Sequence, residues 1–82
     1  MKTTTKNIKI STISDVRDFV NAVASFEDEI DLASGRYIVD GKSIMGIFSL
    51  DLLSPITLSV QTEDAVAAEA LLADVKSFIV EE

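Results

Sequence analysis

The chain has 82 residues, 48% of them apolar, with 14 acidic and 7 basic side chains and a net charge of −7. That length suits one domain with its own core, and the acidity argues against nucleic acid or an anionic membrane surface as partner, since both need cationic contacts. The chain contains no cysteine and no histidine, which removes disulfides, thiolate chemistry, the commonest general base and the commonest transition-metal ligands.

The N-terminus lacks an apolar signal core, and no apolar run approaches membrane-spanning length, so a cytoplasmic protein is expected. Residues 3–10 read as a half-buried strand, with Ile8 and Ile10 on one face and Lys9 on the other. Thr12 and Asp15 have capping-box spacing, with Asp for the preferred Glu. Val16, Phe19, Val20 and Val23 then recur at helical spacing, which predicts a helix over 14–26. Glu27-Asp28-Glu29 reads as a solvated loop, because three adjacent carboxylates do not converge on one cation. A short strand over 30–33, a Ser34-Gly35 turn and a strand over 36–40 make a hairpin.

Asp40-Gly41 stops that strand, and Ser43 is placed to cap a short helix over 44–50. On this helix Ile47 and Leu50 lie near one face, with Ile44, Met45 and Phe48 turned partly away. The excess is either ordinary core or a face shown to a partner. Gly46 costs about 1 kcal/mol of helix propensity relative to Ala, which implies close approach by a neighbouring backbone or by a partner. Residues 51–55 form a connector with the one proline, and Ile56, Leu58 and Val60 alternate as a strand. Thr62 is expected to cap a last helix over 63–80, whose inner stripe is Ala68, Leu71, Leu72, Val75, Phe78 and Ile79. The order β-α-β-β-α-β-α predicts one α+β domain over 1–82, a sheet with helices on one face.

No Ser-His or Cys-His pair, phosphate-cradling glycine loop or metal-ligand spacing is present. Neither an enzyme nor a bound metal or cofactor is expected, and Arg17 and Arg36 read as surface charges. Ser43 has two readings. It is a helix cap alone, or it is also a phosphorylation acceptor, placed between Lys42 and the apolar patch. A phosphate there adds about −1.5 to −2 charges beside the positive helix end.

The run GKSIMGIFSL (residues 41–50) resembles the segment of HPr in which a regulatory serine starts the second helix. HPr is the small phosphocarrier of the bacterial sugar phosphotransferase system. The family pattern there is essentially K-S-I-M-G-[IV]-M-S-L. Lys42, Ser43, Ile44, Met45, Gly46, Ile47, Ser49 and Leu50 match it, and Phe48 replaces a methionine. Phe19-Val20, the Ser34 to Arg36 turn, Ile56 to Leu58 and an acidic, Ala-rich last helix agree in order. The resemblance implies an open-faced β-sandwich, a four-stranded antiparallel sheet with three helices on one face. It implies a protein-docking surface with Ile44, Met45 and Phe48 at its apolar positions, and Ile47 is expected to join them in partner binding. It also implies Ser43 as the target of the HPr serine kinase/phosphorylase, with that enzyme or a transcriptional regulator as partner.

HPr proteins carry a phosphoryl group on a histidine in a G-x-H-A-R-P-like segment before the first helix. Alignment on Phe19-Val20 puts Thr12 at the histidine and Ser14 at the arginine, with Arg17 nearby but out of register. The loop after Leu50 is about two residues short, and Asp51 stands where a glycine is usual. A catabolite-repression paralogue in the family likewise keeps the serine and lacks the histidine. The expected function is therefore a regulatory HPr-like protein without carrier activity. The alternatives are an HPr-fold interaction module with no phosphoregulation and a small-molecule-sensing α+β domain.

Overall fold

Strand β4, Ile56–Thr62, runs through the middle of the sheet and alternates buried and half-buried residues along its whole length. Ile56, Leu58, Val60 and Thr62 face the helices, while Thr57, Ser59 and Gln61 face the open side. The computed structural model describes residues 2–80, so Met1, Glu81 and Glu82 of the expected 1–82 domain lie outside the described residues. The other elements are β1 (Lys2–Ile8), α1 (Ile13–Val23), β2 (Glu29–Ser34), β3 (Tyr37–Asp40), α2 (Ile44–Phe48) and α3 (Ala65–Asp74), followed by a 3-10 turn over Lys76–Phe78. The sheet order is β1-β4-β2-β3, antiparallel throughout. Among the described residues no helix is long and apolar enough to cross a membrane.

The core lies between the inner sheet face and the helices. Val16, Phe19 and Val23 of α1, Ile47 of α2 and Ala68 and Leu71 of α3 meet Ile8, Ile30, Leu32, Ile56, Leu58 and Val60. The helical spacing read in the sequence and the period-2 alternation of the strands therefore point at the same core. Each of these large side chains adds about 1.5–3 kcal/mol by leaving water. Phe19 also meets Phe78 edge to face, with centroids 5.9 Å apart at 76°.

The last helix is shorter than expected. It ends at Asp74, and the chain passes through the 3-10 turn into an extended segment. Ile79 bridges Ile8, with Lys9 N–H donating to Phe78 O (2.8 Å) and Val80 N–H to Asn7 O (2.8 Å). Backbone pairing with the far edge of β1 thus competes with helix continuation and wins. The cap also differs: Asp64, not Thr62, closes the helix, accepting from Val66 N–H and Ala67 N–H at 3.0 and 3.1 Å. Thr62 is 4% exposed. It still belongs to β4, where its hydroxyl donates to the Asp28 carboxylate and accepts from Asp64 N–H.

The β2–β3 hairpin pairs Ser34 with Tyr37, leaving Gly35 and Arg36 as the turn. Gly35 has φ +60° and no other described residue has a positive φ, which is the type II′ pattern with glycine in the first central position. The turn sits one residue later than the Ser34-Gly35 reading of the sequence.

Candidate functional site

The site is built on the turn that joins β3 to α2. Gly41 is buried under Ile30 of β2, and its N–H donates to Ile30 O at 2.7 Å. A Cβ there would lie 2.6 Å from Ile30 Cγ2 and 3.1 Å from Ile30 O, so close approach demands the glycine. Asp40 then folds the chain back: its Oδ1 accepts Lys42 N–H at 2.8 Å and its backbone carbonyl accepts Ser43 N–H at 3.1 Å. Lys42 Nζ donates to Phe26 O, which ties this turn to the segment after α1.

Ser43 caps α2 as its position implies. Its backbone is extended (φ −101°, ψ 109°) and its Oγ accepts Gly46 N–H at 3.1 Å. It is half-buried. Gly46 lies in close approach, as expected, but to side chains: a Cβ would lie 3.2 Å from Val39 Cβ and 3.3 Å from Ser43 Oγ, so those neighbours would have to give by a few tenths of an ångström to admit one.

Helix α2 has only five residues and divides its apolar side chains sharply. Met45 is 81% exposed, Phe48 41% and Ile44 40%, while Ile47 is fully buried. Ile47, expected on the docking face, is thus corrected to a core residue. It points from α2 into the core, which also receives the half-buried Val39 and Val20, and it cannot touch a partner in the folded chain. Its part in the site is to hold α2 down so that Ile44, Met45 and Phe48 face outward.

Thr12 and Ser14 mark the start of α1, which packs against α2. Thr12 is the helix cap, with its Oγ1 accepting Asp15 N–H at 3.0 Å. Asp15 Oδ2 accepts in return from Ser11 N–H (3.1 Å) and Thr12 N–H (3.3 Å), completing the capping box. Ser14 is exposed. Between them Ile13 stands 68% exposed, and Leu53 in the loop after α2 is 87% exposed. Lys9 Nζ donates to Leu53 O at 3.3 Å, which fixes that loop beside the segment leading into α1. The sequence reading passed over both residues, because a lone apolar side chain in a cap or loop carries no periodicity. Among the described residues no group of three or more Asp, Glu, His or Cys is placed to hold a metal.

An apolar patch on a short capped helix, beside a second capped helix start, is a surface suited to protein contact. Comparison with known proteins says what this framework is. The family model "PTS HPr component phosphorylation site" matches residues 16–79, so the match begins after Thr12 and Ser14. Among solved structures, HPr-C-His from Thermoanaerobacter tengcongensis superposes with a TM-score of 0.71 at 31% identity, covering 94% of this chain and 93% of that one. The phosphocarrier protein HPr from Bacillus anthracis str. Ames gives 0.62 at 29% identity, with 90% and 98% covered. No curated protein matches the sequence. With the family model covering most of the chain and the four-stranded antiparallel sheet in common, the chain belongs to the HPr family of the phosphotransferase system.

Proposed function

We propose that this protein is a regulatory member of the HPr family that carries no phosphoryl group through the sugar relay and acts by docking other proteins. The carrying observation is the pairing of a chain without histidine with an α2 face that leaves Ile44, Met45 and Phe48 exposed beside the cap Ser43. At the aligned position Thr12 offers an alcohol oxygen, which forms a stable ester and no phosphoramidate, and that oxygen already serves the α1 cap. Proteins of this family interact with other proteins of the phosphotransferase system, and an apolar helix face of this kind gives such contacts their buried centre. The partner is the HPr serine kinase/phosphorylase or a transcriptional regulator, met in the cytoplasm, and the protein is not itself an enzyme.

In this reading Ser43 is the phosphoacceptor that regulates docking. The first-turn N–H groups of α2 receive the added charge, and the charge stands next to Met45, so it changes which partners the patch accepts. A second reading keeps the docking face and leaves Ser43 as a cap only. Its support is the half-burial of Ser43 and the engagement of its Oγ with Gly46 N–H. Incubation with HPr serine kinase and ATP, followed by mass spectrometry, separates the two. One phosphate on Ser43 is expected; none, with an authentic HPr labelled in parallel, leaves only the cap. Incubation with phosphoenolpyruvate and the first enzyme of the system should leave the protein unlabelled, and uptake there would overturn the non-carrier assignment.

A further inference from the structure

The sheet has two edges, and they are defended differently. At the β1 edge, Lys2 and Lys6 are exposed, and Ile79 pairs with Ile8 near the end of the strand. Exposed lysines and a covering segment are the usual devices that stop one sheet from adding to another. At the β3 edge, Tyr37 is 71% and Ile38 69% exposed, and no described strand lies beyond them. The register shows which backbone groups that edge presents. Gly41 N–H donates to Ile30 O, and Asp31 lies opposite Asp40, so Tyr37 and Val39 exchange bonds with β2. The N–H and C=O of Ile38 therefore point away from the sheet.

We propose that β3 is a self-association edge, where a second copy of this chain pairs antiparallel across a two-fold axis at Ile38. The segment Arg36-Tyr37-Ile38-Val39-Asp40 is self-complementary about its centre. The two Ile38 residues face each other and exchange two N–H···O bonds. Tyr37 of one copy lies opposite Val39 of the other. Arg36 lies opposite Asp40 of the second copy, twice. Opposite charges at both ends choose this register, because a shift that centres the axis on Asp40 sets two carboxylates together. The charges are available for it. Arg36 is exposed and has no ion pair or hydrogen bond among the described residues. Asp40 uses Oδ1 for Lys42 N–H and leaves Oδ2 without a partner there. The product is one sheet running through both copies. Four residues per strand bury less than the roughly 1,200 Å² of a stable complex, so the pair forms reversibly and with concentration. The exposed face of α2 is not part of this contact.

Two measurements on the full chain test this. The first is sedimentation equilibrium from micromolar to millimolar protein. Wild type should associate to dimers, Ile38→Lys and Arg36→Asp should each raise the dissociation constant about tenfold or more, and Met45→Ala should leave it unchanged. A wild type that stays monomeric throughout, or association that both edge variants leave intact, overturns the proposal. The second uses the absence of cysteine. Antiparallel bonded pairs have Cα atoms about 5.5 Å apart, within disulfide reach. Ile38→Cys should thus oxidise to a covalent dimer at least about tenfold faster than Val66→Cys, an equally exposed site on α3. Equal rates refute the two-fold at Ile38, and since both positions are exposed, neither variant depends on repacking the core.

Discussion

Replacing Ser43 by alanine is the obvious way to remove a phosphoacceptor, and the structure says that it does two things at once. Ser43 Oγ is the side-chain cap of α2, accepting Gly46 N–H at 3.1 Å in a half-buried position. Helix α2 has five residues, so this bond is a large share of what holds its first turn. Losing such a cap costs about 1 kcal/mol. Set against roughly 4–12 kcal/mol for the whole of an 82-residue domain, that is enough to loosen the docking face by itself. With a urea slope of about 1 kcal/mol/M for a chain this small, Ser43→Ala should lower the unfolding midpoint by about 1 M. Asparagine and aspartate cap as well as serine, so Ser43→Asn and Ser43→Asp should stay within about 0.5 kcal/mol of wild type. Hydrogen exchange reads the same bond directly: Gly46 N–H should exchange faster in Ser43→Ala and not in Ser43→Asn. If Ser43→Ala unfolds with wild type, or Ser43→Asn falls as far as Ser43→Ala, the capping argument is wrong. If the argument holds, Ser43→Asn is the variant that removes the phosphoacceptor and leaves the helix alone.

Gly41→Ala should destabilise the fold by about 1–3 kcal/mol through overpacking, because its Cβ would meet Ile30 Cγ2 at 2.6 Å; a urea midpoint equal to wild type would show that Ile30 yields freely. Ile47→Ala should cost about 2–5 kcal/mol and Met45→Ala less than about 0.5, since one is fully buried and the other 81% exposed. Chemical denaturation of the two variants side by side checks this, and similar losses would mean that Met45 packs in solution.

Much of the fold was readable because local pattern and tertiary environment agree. Val16, Phe19 and Val23 recur at helical spacing and are all buried, and Thr12 with Asp15 forms the capping box that their spacing suggested. Readings failed where a distant partner decided the outcome. Nothing near Val75 forbids a helix, yet the chain leaves it so that Ile79 can pair with Ile8. Thr62 and Asp64 are both competent caps, and the choice falls to Asp64 because Thr62 is held in β4 beside Asp28. Within the site, the split of α2 into buried Ile47 and exposed Met45 follows from helix geometry. The docking positions that the resemblance to HPr implies, Ile44, Met45 and Phe48, are the exposed ones, and only the addition of Ile47 to the docking face went against that geometry. The half-burial of Ser43 was not legible, because it depends on how the turn after Gly41 seats on Ile30 and not on the serine's neighbours in the chain.

The pairing of β1 has a consequence for how the protein is made. Among the described residues every strand pairing of β1 is with β4, which begins at Ile56, or with Ile79. On the ribosome β1 therefore waits, unpaired, until residues 56–62 have emerged, and it gains its second neighbour only when Ile79 follows. During that wait its lysines and threonines are what face other nascent chains. A sequence of this composition is a poor seed for aggregation, so the strand that must wait longest is also the one least suited to sticking in the meantime.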